Sequence, residues 1–408
     1  MNSKSEIRIP EARKKSDIRG PKWALEAEWK KSAGTDGGNR SFRISGSDIL
    51  SELGFRTSDF GMNRPLSKLT GFFVATVLLT CRAAAAEPTD HFMGDWQGSV
   101  TIGSQKQSVA VYMIPLDEGR YEARMVADFR QRGPFLFRLR GMMRDDQFRF
   151  LDDIPLDAGH VASTTDAGVI FPASLWSGQL TGDAFQGTIA GRQTGRFELK
   201  KAQRGSPDLG KRAPEGALIL LDGSNLDQWQ TRGSGVPIAW KLLPGGILEV
   251  AKGGDIVSKE KFGDHQLHLE FRLPYMPRAF GQARANSGVY LQGRYELQVL
   301  DSYGLEGHNN ECGGFYQIRR PDVNMCFPPL QWQSYDITFH AAKRGDDGKK
   351  SANARLTVTH NGVVIHDNFE LPHCTPGAVD EKEGEPGGLL LQDHGNPVQY
   401  RNLWVKRL

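Results

Sequence analysis

The chain has 408 residues, enough for two or three domains with cores of their own. Its 47 glycines and 21 prolines, set against few long apolar helical patterns, favour β-structure with many turns over a helical or α/β fold. The formal net charge of +3 misleads, because residues 1–86 hold 15 of the 51 Lys and Arg but 9 of the 48 Asp and Glu, which leaves the rest at a formal −3. Lys and Arg are not interleaved with aromatic residues either, so the composition argues against a nucleic-acid-binding surface.

Residues 1–61 are polar and without sustained periodicity. Met62 is then followed by Arg64 and Lys68, the apolar run Leu69–Thr80 and the small residues Ala83–Ala86. A basic segment, a short apolar core and a small-residue cleavage site make a complete secretory signal. Met62 therefore reads as the true start, 1–61 as a mis-annotated or disordered extension, and 62–86 as a signal peptide. The apolar run is too short to span a bilayer, so the mature chain is expected to carry no transmembrane anchor and to be secreted or periplasmic, in a bacterium. Cys81, preceded by Leu79 and Thr80, makes a poor lipobox, and cleavage after Ala86 is the cleaner reading.

Residues 87–200 contain GDWQGSV, SVAVYMI, RYEARMV, LFRLRG, QFRFLD, LWSGQL, AFQGTIA and GRFELKK, short strands separated by Gly and Asp turns. The spacing predicts an antiparallel meander or small barrel, with Trp96, Phe148 and Trp176 in its core. No catalytic cluster stands out, and its role stays open. Residues 201–214, KAQRGSPDLGKRAP, read as a polar linker.

Residues 215–408 alternate again, in HQLHLEFRL, SGVYLQ, YELQVLD, QSYDITFHA, ARLTVTHNGVVIHDN and VQYRNLWVKRL. Asn361-Gly362 is the strongest hairpin signal in the chain. About a dozen strands with few helices predict two stacked antiparallel sheets. His265 and His268, three apart on a strand, face opposite sides and cannot share a metal there. Within RYELQVLDS, Glu296 and Gln298 share a face, and Asp301 joins them only if a one-residue bulge lies between Gln298 and Asp301. The alternative is an ordinary solvated strand face followed by a turn-forming Asp. Cys312 and Cys326 flank a Pro-containing loop and are the expected disulfide, which leaves Cys374 unpaired. No Cys-x-x-Cys zinc pattern occurs.

LLDGSNLDQW, ANSGVYLQGRYELQVLDSYG, the ECGGFY…PPLQWQSYDITF block and LLLQDHGNPVQYRNLWV together resemble the secreted bacterial 3-keto-disaccharide hydrolase family over essentially all of 215–408. The resemblance implies a concanavalin A-like jelly-roll fold and action on 3-keto-glycosides or 3-keto-disaccharides. The fold class expected for the whole chain is thus all-β, a jelly-roll sandwich preceded by a smaller β domain. Laminarinase-type enzymes of that fold carry E-x-D-x-x-E on a bulged strand. Here Glu296, Gln298 and Asp301 have the same spacing, but Gln298 cannot share a proton and Asp301 reaches less far than Glu. Double-displacement hydrolysis is therefore not the expected route.

A 3-keto sugar permits another route, in which a base removes the C2 hydrogen, the C1 oxygen leaves by β-elimination, and water adds back. That needs a base, an acid for the leaving group and a partner for the ketone oxygen. Glu296 and Asp301 are the expected base and acid, and His394 a further proton carrier near neutral pH. Gln298, Asn286 and Gln392 are expected to bind sugar hydroxyls and Arg401 to clamp the ketone oxygen, with Phe280 and Trp332 as candidate groove walls, although packing is the default reading for Trp332. His394 could instead shape its turn, and Arg401 could simply pair on an exposed strand. Asp301, Glu306, His308 and Glu311, with Asp393, are candidate ligands for Ca²⁺ or a transition ion that would supply the electrophile, but they match no fixed motif, a solvated acidic loop is the favoured reading, and Asp393 could instead cap its turn. The rival function is a non-catalytic, lectin-like carbohydrate-binding protein of the cell envelope.

Overall fold

The computed structural model describes residues 90–117, 119–150, 174–191, 194–233 and 235–408. The signal at 62–86, the extension before it and Cys81 lie outside the described residues. Within them the chain is β throughout, apart from one 3-10 turn, Gly281–Ala283. None of the described helices is long and apolar enough to cross a membrane.

The first eight strands close a barrel: Gly94–Ile102, Gln105–Asp117, Arg120–Val126, Phe137–Arg144, Gln147–Phe150, Ser174–Thr181, Ala184–Gly191 and Gly195–Lys201. Each pairs antiparallel with the next, and the first with the last. Closure removes both sheet edges. The interior is filled by side chains, among them Trp96, Phe148, Trp176, Phe185 and Phe197. Phe92 plugs one end, its ring 5.0 Å from those of Phe148 and Phe185. Gly187 permits the tight curvature, because a Cβ there would meet the Ser177 carbonyl oxygen at 2.0 Å and the Phe197 ring at 2.4 Å.

SVAVYMI is apolar on both faces for a structural reason. Val109, Val111 and Met113 point into the barrel, while Ala110, Tyr112 and Ile114 belong to the core of the second half. The barrel is thus packed against the sandwich that succeeds it in the chain. Tyr112 meets Tyr303 edge-on at 5.5 Å.

The rest of the chain forms two antiparallel sheets around one apolar core. The smaller sheet runs Trp229–Thr231, Ile256–Phe262, Gly387–Leu391, Ser287–Leu291, Tyr295–Val299. The larger runs Lys241–Leu243, Ile247–Glu249, Gln399–Arg407, His265–Arg272, Trp332–His340, Ala354–His360, Val363–Leu371, with Leu218–Leu221 paired to Gln399–Arg407. Asn361 and Gly362, at φ 51° and 77°, turn the expected hairpin. In HQLHLEFRL, Leu267, Leu269 and Phe271 enter the core, and His268 and Glu270 point the other way. Both are nonetheless buried, because the polar segment after the barrel lies over them. Gly210 N–H donates to Glu270 at 2.6 Å, Ser206 bonds Ser334 at 2.6 Å, and Lys211 pairs with Asp336 at 2.6 Å. That segment is a strap rather than a free linker. His265 packs on the opposite face, between Phe262 and Phe339.

The expected Cys312–Cys326 bridge is absent. Both are buried free thiols: Cys312 Sγ bonds the Tyr335 hydroxyl at 3.2 Å, and Cys326 Sγ lies within hydrogen-bond reach of the Phe327 carbonyl at 3.5 Å. Thiol contacts with neighbouring polar groups satisfy the pair without a covalent link.

Candidate active site

The face of the smaller sheet turned away from the core carries a recessed polar row. Ser287–Leu291 and Tyr295–Val299 pair in uninterrupted register, Gly288 opposite Gln298 and Tyr290 opposite Glu296. Alternation sends Tyr295, Leu297 and Val299 into the core and leaves Glu296 and Gln298 on the other face. Gln392, just past Gly387–Leu391, joins them through its N–H bond to the Gly288 carbonyl and its side-chain bond to the Tyr290 hydroxyl at 3.2 Å. Gly288 is what makes room: a Cβ there would lie 2.5 Å from Glu296 Oε1.

Glu296 is only 4% exposed. Burial, reinforced by the charge of Asp255, pushes its carboxyl up to about 7, although the neighbouring polar Tyr290 hydroxyl favours the carboxylate. Asp255 is itself fixed by Arg232 at 3.1 Å and by the N–H of Asp393 at 2.9 Å. Arg232 also donates to the carbonyls of Gly377 and Ala378, so it ties this corner to the loop beside the site. In that loop, Thr375 accepts the Glu296 N–H at 2.8 Å and Pro376 O accepts from Tyr290.

Gln298 is 2% exposed and donates Nε2 to Asn286 Oδ1 at 2.7 Å. Asn286 in turn donates to the carbonyl and side-chain oxygens of Gln282. The amide oxygens of Gln298 and Gln392 are both buried and have no hydrogen-bond partner among the described residues. Buried acceptors are ordinarily satisfied, so two unsatisfied ones beside a recessed carboxyl are suited to the hydroxyl groups of a bound molecule.

Glu296, Gln298, Asn286 and Gln392 thus come together. The other expected residues do not join them. The bulge expected between Gln298 and Asp301 is not formed, since Tyr295–Val299 stays regular to its end. The irregularity falls on the partner strand: Ala285 has φ 52°, and Asp301 N–H bonds Arg284 O, one residue out of step with the Ser287–Val299 pair. Both Asp301 oxygens are engaged, one by Arg284 and one by the Tyr303 N–H, so it is placed as an ion-pair partner and not as a proton carrier. Arg401 lies on the larger sheet, paired with Glu270 at 2.7 Å and over the Trp332 ring at 4.0 Å, with the core between it and Glu296. Trp332 therefore walls nothing at Glu296, and Phe280 leads into the 3-10 turn whose Gln282 bonds Asn286. His394 is exposed at the turn after Gln392, with no hydrogen bond or ion pair to Glu296 among the described residues.

The candidate metal ligands do not converge either. No group of three His, Cys, Asp or Glu side chains able to hold an ion occurs among the described residues. Glu311 accepts the N–H groups of Gly307 and His308, His308 lies 3.7 Å from Glu306, and Asp393 accepts from Gly253, Gly254 and Gly395. They build turns. Tyr290, Asp255, Arg232 and Thr375 were not singled out from the sequence. Only Tyr290 had a signal, its place opposite Glu296 in SGVYLQGRYEL.

The model of the 3-keto-alpha-glucoside-1,2-lyase-like domain matches residues 216–406. Residues 216–406 belong to that family. This lyase-like domain is a carbohydrate-acting, hydrolase-type domain. The chain is similar to a candidate glycosyl hydrolase from Parabacteroides distasonis ATCC 8503, at 33% identity over 50% of this chain and 90% of that one, with a TM-score of 0.45. A second from the same organism is 18% identical over 48% of this chain and 94% of that one, with a TM-score of 0.37. No curated protein matches the chain.

Proposed function

We propose that the lyase-like domain cleaves glycosides oxidised to a ketone at C3, by β-elimination followed by hydration, and that the protein acts after export from a bacterial cell on the signal at 62–86. The ketone acidifies the C2 hydrogen. Glu296, as carboxylate, takes that proton, and the electron pair forms the C1–C2 double bond as the C1–oxygen bond breaks. The protonated Glu296 then gives a proton to the departing oxygen, which leaves as an alcohol. Water adding to C1, with its proton going to C2, completes the net hydrolysis. A carboxyl whose affinity for protons lies near neutrality suits a group that must both accept and donate. Gln298 and Gln392 accept hydrogen bonds from sugar hydroxyls through their unpaired oxygens, and Asn286 holds Gln298 in place.

The observation that carries this reading is Glu296, recessed and pushed up to about 7 beside two orphaned amide oxygens. A purely sugar-binding site would gain nothing from a carboxyl whose affinity for protons lies near neutrality. Incubation of the exported protein with a 3-keto-glucoside, followed by chromatography, should yield the free aglycone with the unsaturated or hydrated 3-keto sugar. Saturable binding without products would favour the lectin-like function instead.

A further inference from the structure

Among the described residues no hydrogen bond or ion pair joins the barrel strands to the residues just assigned, yet a chain of buried contacts leads from the barrel to them. Arg284 is 6% exposed. Its Nη1 donates to the Pro115 carbonyl, at the end of the barrel strand Gln105–Asp117, at 3.4 Å, and its Nε pairs with Asp301. Asp301 also receives the Tyr303 N–H at 3.2 Å, and the Tyr303 hydroxyl donates back to the barrel at Asp95, at 2.9 Å. Gly304 comes next, packed on Tyr112 and Ile114 so closely that a Cβ would meet them at 2.9 and 2.6 Å. The segment leaving Tyr295–Val299 is thereby gripped by the barrel at successive residues.

Arg284 also begins the arm that holds Gln298. From it the chain passes through Ala285, at φ 52°, into Asn286. Asn286 is clasped between Gln282, at 2.8 Å, and Gln298, at 2.7 Å. Rotation of the Arg284 segment would carry Asn286 with it, and the Gln298 amide would lose the partner that sets its orientation.

We propose that Arg284, joined to the barrel through Pro115 and to the strand exit through Asp301, is a positioning residue. It presents the Asn286–Gln298 pair to the sugar, so the barrel takes part in substrate binding without touching substrate. This rests on the catalytic reading above. It replaces proton transfer by Asp301 with a role as the anchor of Arg284.

Arg284→Ala should raise KM for a 3-keto-glucoside about three- to tenfold, the worth of one hydrogen bond, with kcat little changed and the pH profile unmoved. Gln298→Ala should do the same, and the double variant should lose no more than either single one, because both remove one arm. Arg284→Lys, still able to pair with Asp301, should recover most of the KM. Asp301→Asn keeps the shape without the charge and should reproduce the KM rise if Arg284→Ala does not fold. The second readout needs no substrate: hydrogen exchange of the Gln298 side-chain amide should accelerate in Arg284→Ala or Asp301→Asn. Additive losses in the double variant, or unchanged Gln298 exchange, would overturn the proposal. Failure of the unmodified protein to turn over any 3-keto-glucoside would sink the catalytic reading alone, and the exchange measurement would still decide the role of Arg284.

Discussion

Glu296 concentrates the chemistry of the site in one carboxyl, and its environment sets both a rate and a stability. Its affinity for protons is raised from the usual 4.5 to about 7, chiefly by burial. The folded protein therefore keeps a proton that the unfolded chain has lost between those values. Stability contributed by this group is full below about 4.5, falls as pH rises, and is lost above about 7. Glu296→Gln keeps the shape and removes the titration. The variant should lose roughly 10²–10⁴-fold in turnover, the usual worth of a positioned acid–base group. It should also be more stable than the unmodified protein at pH 8, by on the order of 1–3 kcal/mol, and equal to it near pH 4. Urea unfolding at the two pH values checks this, and equal midpoints at pH 8 would contradict a raised Glu296. The residue was legible in the sequence because alternation put Glu296 and Gln298 on one face of YELQV. Asp255 and Arg232 were not, because they act across strands and loops that no local spacing connects to Glu296.

At the scale of strands, a register decides which residues meet, and a register belongs to a pair. The bulge expected at Gln298–Asp301 lies instead opposite, at Ala285. One strand's sequence cannot say which partner takes up an extra residue, and that one step separates Asp301 from the site. The Asn361-Gly362 hairpin was legible for the converse reason, since φ > 0 at both turn residues is a local demand. Gly288 illustrates the pair rule from the other side. It looks like a weak point in a strand, yet its missing side chain is the space that Glu296 occupies. Gly288→Ala should fold, because the atom in the way is the end of a flexible side chain and not backbone. The added methyl would turn the carboxyl aside, so turnover should fall by about tenfold or more while thermal stability changes little. Retained activity with a crystal structure showing Glu296 unmoved would refute this account of the glycine.

At the scale of the molecule, the expected β-meander or barrel and the two stacked sheets were legible because turn residues and period-2 alternation are dense along both halves. Their mutual dependence was not. The double-sided burial of SVAVYMI and the polar strap over His268 and Glu270 show themselves only when the halves are seen together. Asp95 is the point where barrel, strap and sandwich converge. It accepts Arg204 at 2.7 and 3.0 Å and the Tyr303 hydroxyl at 2.9 Å. Arg204 also lies over the rings of Phe129 and Phe327, one from each half, at 4.4 and 5.0 Å. The Asp95 side chain is 2% exposed and that of Arg204 11%. Removing the carboxylate leaves a guanidinium desolvated and uncompensated, so Asp95→Ala should cost about 3–5 kcal/mol, far more than an exposed pair would. Because the lost contacts lie between the halves, the two should also cease to unfold together. The unmodified protein should give a single calorimetric transition whose measured enthalpy equals its van't Hoff enthalpy. In Asp95→Ala the sandwich should melt separately from the barrel, as two resolved transitions. Two transitions already present before the substitution would mean that the junction contributes packing but no cooperativity.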